Sequence, residues 1–140
     1  MTEPTELVGT WTMDRSIDDR RAAEQMSVSG TSTLALDDDG RVRWSEQGVL
    51  LRGDHEIPVS RVLFVESRDD LWFVTFDDGR DFHPWRPGGE VVHPCGADTY
   101  VGLVVVESSE RWTVEWRVSG PAKDYTMHST LTRAQPNENA

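Results

Sequence analysis

The sequence predicts an all-β protein, a closed up-and-down antiparallel β-barrel of about ten strands with one short helix after the first strand. Three observations carry this expectation. Asp39-Gly40 and Asp78-Gly79 are Asp-Gly pairs between stretches of apolar-polar alternation, the best short-range hairpin signal. Short segments rich in Val, Trp, Phe, Tyr and Thr recur between turn-forming residues at roughly 8–12-residue spacing. An open sheet of that many strands would leave two unpaired edges, which closure removes. An open β-sandwich is the structural alternative.

The first segment, 8–15, opens with Gly9-Thr10-Trp11. Ser16 to Gln25 then reads as helix: Ser16 with Asp19 three residues on resembles a capping box, and Asp18 and Asp19 suit a positive helix N-terminus. Strands are expected at 27–36, 41–51, 57–66, 71–77, 80–85, 90–95, 98–107, 111–119 and 124–133. Between them stand breaks such as Gly53-Asp54, Asp69-Asp70, Gly88-Gly89, Gly96-Ala97 and Gly120-Pro121. The cleanest strand is 111–119, with Trp112, Val114, Trp116 and Val118 on one face and Thr113, Glu115, Arg117 and Ser119 on the other. In 57–66, Val62 and Phe64 are read as opposing Arg61. Segment 101–106 is apolar on both faces, so cover on its outer side is expected. Residues 7–133 make one barrel domain, between a flexible N-terminus at 1–6 and a flexible polar tail at 134–140.

Composition narrows the partners. The 140 residues carry 14 Lys and Arg against 25 Asp and Glu, a net charge of −11. That balance argues against a nucleic-acid backbone or an anionic membrane surface. No apolar run approaches the roughly 18 residues of a membrane helix. The start Met-Thr-Glu-Pro-Thr-Glu lacks the basic and apolar regions of a signal peptide, and the single Cys95 cannot form an internal disulfide, so a reducing, cytoplasmic location is expected. The expected chain is a monomer or homodimer handling a small apolar or aromatic organic ligand.

Two resemblances are carried by named residues. Gly9-Thr10-Trp11 on the first strand resembles the Gly-x-Trp opening of the calycin superfamily, which includes lipocalins, fatty-acid-binding proteins and nitrobindin-like haem barrels. The resemblance implies that Trp11 plugs the barrel floor and that Arg133, on the last strand, stacks on it. A longer likeness takes in Ile17-Asp18-Asp19-Arg20-Arg21, Phe76-Asp77-Asp78-Gly79-Arg80-x-Phe82-His83, His93-x-Cys95-x-x-Asp98-x-Tyr100 and Trp116-x-Val118-x-Gly120-Pro121-x-Lys123-Asp124-Tyr125. These motifs are similar to those of an uncharacterised bacterial domain of unknown function with a calycin-like fold. The likeness implies the fold and brings no activity.

His83, His93, Cys95, Asp98 and Tyr100 fall within eighteen residues on consecutive expected strands, where side chains on one face can meet. A His–Asp–Tyr set can move protons near neutral pH. His83, His93, Asp98 and Tyr100 are therefore candidate catalytic residues, and mutual satisfaction at a barrel rim is the competing reading. Glu46 shares parity with Val42 and Trp44, so it becomes an acid or base inside the lumen if those point inward. Arg61 and Arg117 are expected to face solvent. His83, His93 and Cys95 could supply three zinc ligands, but no fourth is indicated, and no metal is assigned. The resemblance to haem barrels places Thr126 where a haem-binding His would stand, with His128 two residues on and facing outward, so no cofactor is expected. Cys95 has a His nearby but neither a helix N-terminus nor a Cys partner to activate it, so it is a weak candidate nucleophile. No P-loop, dinucleotide fingerprint or Gly-x-Ser-x-Gly elbow is present.

Trp44, Phe64, Phe73, Trp112, Trp116 and Tyr125 are candidate ligand-binding residues, because ten strands enclose more space than their side chains fill. Trp72 and Trp85, near strand ends, suit the core and, equally, a mouth or an interface. The first functional reading is cofactor-free acid–base isomerisation, cyclisation or dehydration of a conjugated carbonyl compound. The second is a non-catalytic lipocalin-like carrier, and the third a structural barrel with its lumen filled.

Overall fold

The computed structural model describes residues 2–134. Its strands are Gly9–Asp19 (β1), Glu24–Leu36 (β2), Val42–Arg52 (β3), His55–Arg68 (β4), Leu71–Phe76 (β5), Asp81–Pro84 (β6), Val91–Cys95 (β7), Asp98–Ser108 (β8), Arg111–Ser119 (β9) and Asp124–Arg133 (β10). They form one sheet in the order β6-β5-β4-β3-β2-β1-β10-β9-β8-β7. Neighbours pair antiparallel, and β1 also pairs with β10, Trp11 standing opposite Arg133. The remaining edges, β6 and β7, lie beside each other without a ladder, so the barrel is nearly closed.

Alternation decides which side chains go inside. Trp112, Val114, Trp116 and Val118 of β9 are all buried, while Arg111, Arg117 and Ser119 are exposed. At the lower end the inward residues form a solid floor. Trp11 and Trp112 are fully buried, and Trp44 and Trp85 nearly so. Their rings meet edge to face or tilted: Trp11–Trp112 at 5.9 Å, Trp44–Trp112 at 5.4 Å, Trp85–Trp112 at 6.2 Å and Trp44–Trp85 at 6.5 Å between centroids. Each such pair adds about 0.5–1.5 kcal/mol beyond the area it buries. Three indole N–H groups have acceptors: Trp11 donates to Leu7 O at 2.8 Å, Trp44 to Ser32 Oγ at 2.9 Å and Trp85 to Thr2 O at 2.8 Å. The indole N–H of Trp112 has none. The Arg133 guanidinium lies 4.3 Å from the centre of the Trp11 ring and donates to Val8 O and Ser109 O, the stacking that the calycin likeness implies.

Farther up the wall, β2 and β3 approach too closely for a side chain. Gly30 and Gly48 are register partners, and a Cβ on Gly30 would stand 2.0 Å from the carbonyl oxygen of Gln47. Only hydrogen fits between these strands.

Several expectations are corrected. There is no helix between Ser16 and Gln25. β1 runs on to Asp19, residues 20–23 turn, and β2 starts at Glu24, because Ile17 keeps its place in the ladder between Met26 and Met127. Asp19 caps the turn rather than a helix, accepting from the Ala22 N–H at 3.1 Å. Within the stretch expected to be a loose N-terminus, Pro4–Leu7 forms one 3-10 turn with Pro4 and Leu7 buried under the floor. Trp85 belongs to that floor and not to a mouth. The outer face of 101–106 is only partly covered, Val105 being exposed. The expected tail after Ala134 lies outside the described residues.

Truncating the floor's central plug, Trp11→Ala, is expected to cost about 3–5 kcal/mol in chemical denaturation, with the slope unchanged.

Candidate functional site

Above the tryptophans the inward residues turn polar. Arg15 of β1, Glu46 of β3, Arg61 of β4 and Ser129 of β10 meet across the middle of the barrel. Glu46 is 4% exposed. One terminal nitrogen of Arg15 stands 3.1 and 3.2 Å from its two oxygens, and one of Arg61 donates to Oε1 at 3.1 Å. Arg15 Nε donates to the Ser129 hydroxyl at 2.7 Å. The Nε–H of Arg61 is buried and has no partner, although 34% of the side-chain surface reaches solvent. Desolvation holds the Arg61 pKa below the ordinary guanidinium value. A guanidinium nevertheless stays charged, so this layer contains two cations and one anion.

Over the layer is a cavity of about 200 Å³, lined by Arg61, Phe76, Phe82, His93, Cys95, Tyr100, Trp116, Tyr125 and Met127. Its ring-bearing wall is built from six strands, β5 to β10. Trp116 stacks on Phe82 at 4.9 Å with 11° between planes, and Phe82 on Phe76 at 4.5 Å with 16°. The His93 ring stands edge-on to Phe82 at 5.1 Å and to Phe76 at 5.7 Å, and 6.0 Å from the Tyr100 ring. Opposite Trp116 in the ladder is Gly102, where a Cβ would stand 2.6 Å from ring atoms of Trp116. The missing side chain is what lets the indole lie flat on the wall. A wider, more open hollow of about 660 Å³ adjoins the cavity at the barrel mouth, beside the 20–23 and 120–123 turns, and shares Tyr125 and Met127 with it.

The rim is held by Lys123, which donates to the Tyr100 hydroxyl at 3.1 Å and pairs with Asp98 at 3.1 Å. Those two contacts raise the lysine's pKa. Burial, reinforced by neighbouring Tyr100, pushes the Tyr125 phenol up to about 12, so it is neutral at pH 7.

Of the candidate catalytic residues, His93 and Tyr100 face the cavity. Glu46 lies beneath it, reaching it only through Arg61. Asp98 stands at the rim, tied to Lys123. His83 is 3% exposed and does not line the cavity. Its Nδ1–H donates to Pro84 O at 2.8 Å, and burial lowers its pKa to about 4, which makes it a neutral, satisfied interior histidine. Of the candidate ligand-binding residues, Trp116 and Tyr125 line the cavity. Trp44 and Trp112 are spent in the floor. Phe64 and Phe73 are on the outer face, their rings under Arg41 at 4.0 Å and Arg68 at 4.6 Å, because Leu63, Val65 and Val74 take the inward positions. Arg61 reverses its expected orientation for the same reason, since it shares parity with Leu63 and Val65. Arg117 is outward as expected, paired with Glu90. Phe76, Phe82, Cys95, Met127 and Arg61 complete the wall. None of them was a candidate ligand-binding residue from the sequence, and the position of Phe76 and Phe82 on either side of the Asp78-Gly79 turn is the signal that could have found the first two. Among the described residues no three His, Cys, Asp or Glu side chains are grouped to hold a metal ion.

The chain belongs to a family of unknown function, DUF6314, whose model matches residues 7–133. No curated protein matches it in sequence. In fold it is similar to the S-type phycobiliprotein lyase CPES from Guillardia theta, at 14% identity and a TM-score of 0.65, covering 96% of this chain and 92% of that one. It is also similar to a DUF3598 protein of unknown function from Nostoc punctiforme PCC 73102, at 14% identity and a TM-score of 0.64, covering 96% of this chain and 50% of that one. A redesigned β-barrel, mFAP0, bound to DFHBI, matches at 17% identity and a TM-score of 0.52, over 91% of this chain and 99% of the design. At these identities the likeness is one of fold.

Two outcomes follow from the buried charges. Glu46→Gln leaves two guanidinium groups facing each other without an anion and is expected to cost about 3–5 kcal/mol in urea denaturation, whereas Arg61→Met keeps the Arg15–Glu46 pair and should change stability by less than about 1 kcal/mol. His83 titrates at about 4 folded against 6.5 unfolded. Between those values the unfolded chain binds more protons, so His83 stabilises the fold fully above pH 6.5 and loses up to about 3 kcal/mol as pH falls to 4. Melting curves of His83→Asn should lack that part of the slope over the same pH window.

Proposed function

We propose that this DUF6314 barrel binds a small flat aromatic compound in its upper cavity. One observation carries the reading: the cavity of about 200 Å³ is walled by stacked rings while the opposite end of the barrel is packed shut. An apolar cavity near 150 Å³ is enough for benzene, so this one suits a single ring or two fused rings. It is smaller than a typical drug-sized pocket, because the tryptophans occupy the lower lumen. The similar fold of a designed barrel bound to DFHBI supports the reading.

A second reading gives the site chemistry. His93 and Tyr100 are on one wall, and Lys123 donates to the Tyr100 oxygen. A phenol and an imidazole side by side can each donate a proton to a bound compound or accept one from it. That pair suits one proton transfer to or from a conjugated carbonyl compound, hence isomerisation, cyclisation or dehydration without a cofactor. If the cavity serves only carriage, the same wall needs no proton transfer.

Naphthalene added to the protein is expected to quench tryptophan fluorescence saturably through Trp116, and Cys95→Trp, which fills the cavity from its rim, should abolish the response without lowering the melting temperature. An unaltered response in that variant would remove the cavity as the site. With a compound that turns over, His93→Ala should lower kcat by about 10²–10⁴ with nearly unchanged melting, and unchanged kcat would leave the carrier.

A further inference from the structure

We propose that the compound held in this cavity carries one carboxylate, and that Arg61 is the residue that receives it. The inference rests on the binding reading above and goes further by naming the ligand's charge and where it is met.

The argument begins with satisfaction of the polar layer. Glu46 accepts from both arginines through Oε1, and Arg15 makes a further bond to Ser129. Arg15 is thereby used on two sides. Arg61 gives Glu46 one nitrogen, and its buried Nε–H is left with nothing. A buried donor on a charged group costs more unpaired than a neutral one, so an isolated fold would do better with an apolar residue there. The cluster also holds one positive charge in excess.

The groups facing Arg61 do not supply the missing anion. Among the described residues the cavity lining contains no carboxylate. Tyr125 is neutral at working pH, because its phenol is pushed up to about 12. Asp98 is at the rim and already paired with Lys123. The excess charge therefore sits at the polar end of an otherwise aromatic cavity. A planar carboxylate can take two parallel N–H bonds from a guanidinium, and its attached ring would lie against Phe82 and Trp116. Ring and carboxylate together describe an aromatic acid.

The test compares benzoate, 2-naphthoate and indole-3-acetate with their primary amides at pH 7.5, by titration calorimetry on wild type, Arg61→Met and Arg61→Lys. The expected result is that at least one acid binds wild type about tenfold or more tighter than its own amide. That acid-over-amide preference, measured within each variant, should fall to about twofold or less in Arg61→Met and be partly kept in Arg61→Lys. Acids and amides binding wild type equally would overturn the inference and leave the binding reading standing. So would an acid preference that survives Arg61→Met, which would put the anion on another cation such as Lys123. Binding of neither series would take the binding reading down as well. Near-ultraviolet circular dichroism checks that each variant is folded, and Arg61→Lys keeps a charge in the layer should the Met variant fail.

Discussion

The tryptophan floor sets what the rest of the barrel can be. Four indoles from β1, β3, β9 and the segment after β6 close one end of a ten-stranded cylinder that would otherwise be too wide for its side chains. Their mutual edge-to-face contacts span the lumen, and the 3-10 turn at residues 4–7 seals the outside by accepting the Trp11 N–H. With that end packed, only the other end has room for anything else. The fold's stability and its emptiness are thus separated along the barrel axis.

The boundary between the two halves is ionic. Glu46 with its arginines occupies the level where large apolar side chains stop, next to the glycine contact at Gly30 and Gly48. Buried ion pairs of this kind seldom add net stability, because desolvation offsets the attraction. Their presence in the middle of a barrel is better understood as specification: the pairing of Glu46 with Arg61 in register fixes which face of β4 turns inward. A slip of one residue would bury Val62 and Phe64 and expose Leu63 and Val65.

Much of the candidate site was legible one residue at a time. Parity with Val42 and Trp44 places Glu46 inside, and the His-x-Cys-x-x-Asp-x-Tyr run does bring His93 and Tyr100 to one wall. The same run leaves Asp98 at the rim, paired with Lys123, which is remote in sequence, and His83, ten residues before the run, bonds to the adjacent Pro84 carbonyl. Phe64 and Phe73 look like core residues, and nothing local shows that Arg41 and Arg68 cover them from outside. Ser16 to Gln25 has the composition of a helix start, yet Ile17 gains more from its two ladder partners than a short helix could return.

The sequence by itself determined the strand number, nearly all strand limits and the antiparallel order. These depend on hairpin turns and period-two alternation, which act between near neighbours in the chain. Only the tertiary structure decided which tryptophans fill the barrel and which wall a cavity, that the cavity is small, and that Arg61 looks into it. Those outcomes depend on which residues share a level across the lumen. That level is set by the accumulated register of ten strands, and no single segment carries it.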